Sequence, residues 1–404
     1  MLIHNRNASL APYPAELRRI MSIHQATESR AWLSSWNQLS STATPLRDLP
    51  GLAARLGLAE LRLKDESLRS PLGSFKALGA PIALVRLILR LFPACGFQAE
   101  RLLVGDYQGQ LQDFTVISAT DGNHGRALAA AAQSVGCRCV IVLHAQVSEE
   151  REQAIAAYGA EIVRIAGNYD ESVAAAARLA RENAWQVVSD TSYDGYQAVP
   201  RDVMQGYAII AAEIAEQTAG RRFSHVFLQG GVGGLAAGIA SYLWELHGAE
   251  RPTLVVVEPQ QADCLYQSAL TGETARATGS VDSLMAGLAC GETSPLAWQF
   301  LRPCVDHFLT IEDAQAVAAM RLLAAGSERD LPLVSGESGV AGLAGLLALV
   351  SDTALAEQVG LNGESRVLLI STEGDTAPGV YRQLVGESGQ SVLARQASWL
   401  QHEA

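Results

Sequence analysis

From Phe114 onward the chain alternates short β-branched runs with longer Ala-rich amphipathic stretches. This rhythm suits a parallel sheet covered by helices, because two parallel strands must be joined by a crossover of about a dozen residues or more. Strands are expected at FTVIS (114–118), CVIVL (139–143), EIVRI (161–165) and WQVVS (185–189), enough for one small sheet, with a helix over 170–183. After the turn-rich SDTSYDGYQAVP (189–200) and an amphipathic segment through Gln217, a second series follows: HVFLQ (225–229), LVVVE (254–258), HFLTI (307–311) and VLLIS (367–371). The strand-like LRLKDE (61–66) precedes both series and fits either body. A chain of 404 residues also exceeds the size, roughly 250–300 residues, at which a single core stops growing. Two domains are therefore expected, with a crossing near 189–200.

Composition removes several classes of function. Apolar residues make up 49% and charged residues 18%, the balance expected of a folded soluble protein with ample core. A net charge of −12, with no basic run to offset it, repels a phosphate backbone and argues against a nucleic-acid partner. No apolar run approaches the roughly 18 residues of a membrane span. The opening MLIHNRNASLAPYP lacks the basic and apolar regions of a signal peptide, so a cytoplasmic setting is expected and no membrane partner. Six cysteines are too few for a disulfide framework, and Cys137 and Cys139 have neither metal nor redox spacing, so no metal centre is expected. Cys264 and Cys290 bracket a Gly/Thr-rich segment, which leaves a disulfide between them open.

The distribution of amines is sharper. Of 30 basic residues 28 are Arg, and only Lys64 and Lys76 are Lys. Guanidinium cannot form an imine with a carbonyl or act as a base near neutral pH, whereas a desolvated lysine can do both. Lys76 lies in SPLGSFKALGA (70–80), where a helix can begin. The unfavourable dipole there is expected to help lower its pKa, which suits an imine-forming amine better than a salt-bridge partner.

Three further motifs sit at strand ends. SATDGNHGRALA (118–129) opens a helix whose first N–H groups favour an anion such as a substrate carboxylate, with Ser118 and Thr120 alongside. Asn123 can bond a phenolate oxygen, and His124 reads as a packed or capping polar residue. Asp121 is the odd member: it reads equally as an N-cap or as a group that accepts a proton or meets a substrate ammonium. QGGVGGLAAG (229–238) lets the backbone wrap a phosphate, but Gly231, Gly233 and Ala236 also satisfy the relaxed dinucleotide pattern, with Glu258 ending the next strand as a ribose-binding acid would. LLISTEGDTAPG (368–379) delivers Ser371 and Thr372 with Glu373 close behind, and SGESGVAG (335–342) starts another glycine-rich helix that can line the same crevice.

In this order the motifs resemble the fold-type II family of pyridoxal-phosphate enzymes, which includes threonine dehydratase, threonine synthase and cysteine synthase. SFK is similar to the family's Schiff-base lysine segment, TDGNHG to its S-x-G-N-H loop, GGVGG to its phosphate cradle and STEGD to its ring-nitrogen segment. Within that family the chain resembles the diaminopropionate ammonia-lyases through DGNHGR, SDTSYDGY with PRDVMQGY, and MAGLACGE, over about 45–382.

The resemblance implies an α/β architecture of two open, twisted, mainly parallel sheets flanked by helices, with the active site in the cleft between domains. Residues 1–85 and 195–404 would form the large cofactor-binding domain and 86–194 the small one. The cofactor implied is pyridoxal 5′-phosphate, whose ring serves as electron sink. By the same resemblance Lys76 holds the cofactor, Phe75 packs along the ring and Asn123 meets the phenolate oxygen. Gly230, Gly231, Val232, Gly233 and Gly234 bind the phosphate, and Thr372, or failing that Ser371, faces the pyridine nitrogen. Lys76 takes the Cα proton of L-2,3-diaminopropionate and Asp121 that of the D form, while Asp190 helps recognise the amine end. A homodimer is the family's usual form. Rival readings are a dehydratase or ammonia-lyase on serine, threonine or 3-hydroxyaspartate, a β-replacement synthase, and a silent binding protein. The chain departs from many relatives in reading Thr372-Glu373-Gly374 where they have S-G-G, so Glu373 competes for the ring nitrogen.

Overall fold

A computed structural model describes residues 1–120, 122–167 and 169–403, with 170, 402 and 403 described by backbone alone. Eleven strands form among them: β1 (Leu2–His4), β2 (Leu46–Asp48), β3 (Glu60–Asp65), β4 (Thr115–Ala119), β5 (Arg138–Leu143), β6 (Glu161–Arg164), β7 (Gln186–Val187), β8 (His225–Gln229), β9 (Thr253–Pro259), β10 (His307–Ile311) and β11 (Arg366–Ser371). They build two sheets, one of seven strands in the order β1-β10-β9-β8-β11-β3-β2 and one of four in the order β6-β5-β4-β7. The small sheet is parallel throughout. The large one is parallel except at its edges, where β1 runs against β10 and β2 against β3.

The predicted strands all form, and LRLKDE joins the large sheet, pairing Glu60 with Arg366 through Asp65 with Ser371. The edge strands β1 and β2 were not expected. Each has three residues and none of them is buried, so neither carries a run of buried apolar side chains for a pattern to reveal. β8, by contrast, is buried along its whole length, as a central parallel strand must be.

Helices cover both sheets, and their packing sets the site. Helix Ala198–Gln217 crosses helix Lys76–Leu91 so closely that a Cβ on Gly206 would stand 2.1 Å from the Leu78 carbonyl oxygen. A Cβ on Gly79 would stand 2.5 Å from the Tyr207 ring. Small residues at the crossing thus bring Tyr207 beside the start of the lysine helix. No single helix among the described residues is long and apolar enough to cross a membrane, and no cluster of three or more His, Cys, Asp or Glu among them is placed to hold a metal ion.

Candidate active site

Segments leaving the C-terminal ends of β4, β8 and β11 converge on one cleft of about 1220 Å³, its open mouth included. Carboxyl ends of parallel strands are where open α/β sheets place their ligands. Lys76, first residue of helix Lys76–Leu91, lines it. The amine is held in place from β11: Phe75 N–H donates to Thr372 O at 3.0 Å, Gly374 N–H donates to Gly73 O at 2.9 Å, and Ser74 forms a bridge with Glu373. Phe75 packs against Tyr207 with ring centroids 4.7 Å apart, and both line the cleft.

The electrostatics of Lys76 correct the sequence expectation. Its Nζ lies 2.5 Å from Asp190 Oδ2, so here it is a salt-bridge partner. Burial alone would push the ammonium's pKa down, but the Asp190 carboxylate and then Tyr207 outweigh it and hold it above the ordinary lysine value. Burial likewise opposes ionisation of Asp190, and Lys76 with His124 overcomes it, holding that carboxyl below the usual range. A contact between full charges at 2.5 Å exceeds any effect of the helix terminus.

On the small-sheet side, Asn123 opens helix Asn123–Val135 and lines the cleft. Thr120 also lines it, its Oγ1 accepting from the Gly122 and Gly125 N–H groups at 3.3 Å each. Ser118 does not reach the cleft; it is buried within β4 with its hydroxyl turned to Ala119 O. Asp121 lies outside the described residues. His124 is packed, as expected: Nε2 sits 2.9 Å from Val188 O, and Nδ1 is 3.9 Å from Asp190 Oδ2.

The glycine loop after β8 takes shapes that side chains resist, with φ of +65° at Gly231 and +99° at Gly233. A Cβ on Gly230 would stand 2.5 Å from Glu258 Cγ. Gly230, Gly231, Val232 and Gly234 line the cleft at the start of the 14-residue helix Gly234–His247, whereas Gly233 packs toward Leu301 and Ala297. Glu258, which a dinucleotide site would turn to a ribose, accepts instead from Leu265 N at 3.0 Å and Tyr266 N at 2.7 Å, satisfying the start of helix Cys264–Thr271. Four buried polar atoms of cleft residues, His124 Nδ1, Arg126 Nε, Tyr207 Oη and Gln229 Oε1, have no hydrogen-bond partner among the described residues. An anion cradle, a lysine amine and unspent polar atoms in one cleft fit pyridoxal phosphate.

At the end of β11 successive side chains diverge. Thr372 lines the cleft, while Ser371 points away and bonds Ser335 Oγ at 2.8 Å, as alternation along a strand requires. Both oxygens of Glu373 are engaged, one by Asn123 Nδ2 and the other by Ser338 N at 3.1 Å. Cys264 and Cys290 are thiols with no bridge between them, and Cys264 Sγ is directed at Gly231 O, 3.5 Å away.

Among the lining residues that had not been singled out are Tyr207, Glu337 and Arg151. Tyr207 lay within the quoted PRDVMQGY, and Glu337 within the glycine-rich SGESG, so both had a signal; Arg151, in the charged helix Glu149–Ala156, had none. Arg151 Nη2 meets Glu337 Oε1 at 2.9 Å across the cleft. Burial first, and then the charge of Glu373, push the Glu337 carboxyl up from 4.5 to about 7. A raised carboxyl contributes stability in full below pH 4.5 and loses it as pH rises through about 7. Glu337→Gln is therefore expected to gain on the wild type by roughly 1–2 kcal/mol between pH 5 and pH 8 in denaturant unfolding. A stability difference that stays constant across that window would refute it.

The profile of the family "Pyridoxal-phosphate dependent enzyme" matches residues 38–373. Diaminopropionate ammonia-lyase of Escherichia coli K12 is 38% identical over 358 residues, covering 86% of this chain and 88% of that protein. The crystal structure of the Escherichia coli diaminopropionate ammonia-lyase in complex with D-serine superposes with a TM-score of 0.88 at 35% identity, covering 97% of this chain and 98% of that one. The same enzyme in complex with an aminoacrylate–PLP azomethine reaction intermediate gives a TM-score of 0.86 at 35% identity, covering 95% and 96%.

Proposed function

The chain belongs to the pyridoxal-phosphate dependent enzyme family, and on that premise we propose that it eliminates ammonia from 2,3-diaminopropionate, in both D and L forms. Elimination gives aminoacrylate and one ammonia, and hydrolysis of the aminoacrylate gives pyruvate and the second. The observation that carries this reading is the Lys76 amine, 2.5 Å from Asp190, facing a glycine cradle within a cleft of the ammonia-lyase architecture.

When bound, the cofactor supplies a ring that withdraws electrons from Cα. The glycine loop 230–234, at a helix start, would hold its phosphate, and the cleft-lining Thr372 and Asn123 would serve its ring nitrogen and phenolate oxygen. Phe75 and Tyr207 wall the cleft beside the lysine. Lys76 Nζ accepts the Cα proton of the L form, and Asp121 that of the D form. Asp190 counters Lys76 before substrate arrives and is then free to meet an amine of the substrate. A large cofactor-binding domain would comprise 1–85 and 195–404 and a small domain 86–194, a division that the allotment of strands to the two sheets supports. The working form would be a homodimer in the cytoplasm.

Pyruvate release from separate D- and L-2,3-diaminopropionate, with L-serine and L-threonine alongside, tests the reading on protein supplied with pyridoxal phosphate. Both diaminopropionate enantiomers are expected to turn over well above the hydroxy amino acids. Turnover of the hydroxy amino acids alone would overturn the substrate assignment. Asp121→Asn is expected to lose most activity on the D form and keep much on the L form; equal losses would reduce Asp121 to binding or positioning.

A further inference from the structure

We infer that Glu373 is a positioning residue that aims the amide of Asn123 into the cleft, an inference that rests on the cofactor reading above. The two residues are 250 positions apart, one after β11 in the large sheet and one at the start of the helix that follows β4 in the small sheet. Glu373 is itself fixed on every side. Its backbone bridges Ser74, its carbonyl accepts from Gly336 N at 2.9 Å, and its Oε1 accepts from Ser338 N at 3.1 Å. Gly336 and Gly339 leave the room it occupies: a Cβ on the first would stand 2.9 Å from Glu373 Cγ, and on the second 2.7 Å from Glu373 O. The remaining oxygen, Oε2, therefore has one place to go, and it takes Asn123 Nδ2.

This contact decides how the asparagine amide points. A carboxylate oxygen accepts only, so turning the amide over would set Asn123 Oδ1 against Glu373 Oε2, two acceptors with no hydrogen between them. Nδ2 carries two hydrogens, and Glu373 uses one. The other is left to donate to an anionic oxygen of the cofactor from a residue that lines the cleft. The acid that stands where many relatives read glycine thus acts through Asn123, its two oxygens being spent before either can reach the ring nitrogen.

The test uses purified Glu373→Gln loaded with pyridoxal phosphate. Glutamine has one acceptor oxygen for two donors, Asn123 Nδ2 and Ser338 N, so one contact must break. Cofactor affinity is expected to weaken about tenfold, as for loss of a charge-assisted hydrogen bond. The visible absorbance of the loaded protein is expected to shift, and kcat to fall more than KM changes. Glu373→Asp, which keeps both acceptors, should recover part of each change. In an Asn123→Ala background the glutamine substitution should add no further spectral change. A Glu373→Gln protein with wild-type affinity and spectrum overturns the inference, as do additive changes in the double variant. If Glu373→Gln does not fold, Asn123→Asp sets an acid against Glu373 and should give the same loss of affinity and the same spectral shift; unchanged values would overturn the inference equally. A wild-type protein that takes up no pyridoxal phosphate would instead refute the functional reading, before any variant is compared.

Discussion

Lys76→Ala is expected to fold, to lose the absorbance of lysine-linked pyridoxal phosphate, and to release pyruvate from L-2,3-diaminopropionate more than about a thousandfold more slowly. The substitution removes the carbonyl-reactive amine and the acceptor of the L-form Cα proton together. Turnover of the D form should fall as well, but less, because Asp121 still serves as its proton acceptor. Lys76→Arg separates two roles that the ion pair at 2.5 Å combines. Arginine still presents a cation to Asp190, so the cofactor-free protein should unfold at the wild-type temperature, yet it cannot form the covalent link. Turnover of the L form by either variant within tenfold of wild type would remove Lys76 from its assigned place.

The other lysine has an equally large effect through stability. Lys64 is fully buried, and its Nζ reaches Thr44 O at 2.7 Å, Glu213 Oε2 at 2.6 Å and Gln217 Oε1 at 3.0 Å. Arg69 completes the cluster, bonding Glu66 Oε2 at 2.8 Å and Glu213 Oε1 at 2.7 Å, so two buried cations meet two buried carboxylates. Lys64→Met leaves the second carboxylate uncompensated inside the protein and is expected to destabilise it by about 3–5 kcal/mol. Lys64→Arg should be little better, since a planar fork cannot replace a compact ammonium among three acceptors spread around one atom. Thermal and denaturant unfolding of the two variants check this. A Lys64→Arg protein as stable as wild type would show that position 64 needs only a charge.

The two lysines of an otherwise arginine-rich chain are thus both expected to need an amine, Lys76 for the proposed chemistry and Lys64 for its shape. Residue identity exposed the anomaly but could not divide the roles. The FK step at the start of a helix pointed to Lys76, whereas nothing in LRLKDE announces that Glu213, 149 positions away, will lie against Lys64.

What the sequence by itself determined was local in origin. Strand and helix periods, the glycine loop after β8 and the helix that starts at Lys76 follow from neighbours within a few residues and sufficed for an α/β chain of two bodies; the resemblance that the order of these motifs carries then implied the architecture, the cofactor and the cleft-lining Asn123, Gly230, Gly231, Val232, Gly234 and Thr372. Tertiary structure decided whatever depended on partners far apart in the chain. It chose Thr372 over Ser371, drew Lys76 into an ion pair with Asp190, turned Glu258 to a helix start, left Ser118 inside its strand and joined Glu373 to Asn123 and Glu337 to Arg151. The physical reason is common to all of these. A side chain's charge state and direction are set by what the packed fold places within a few ångströms of it, and the spacing of residues along a chain does not encode that distance.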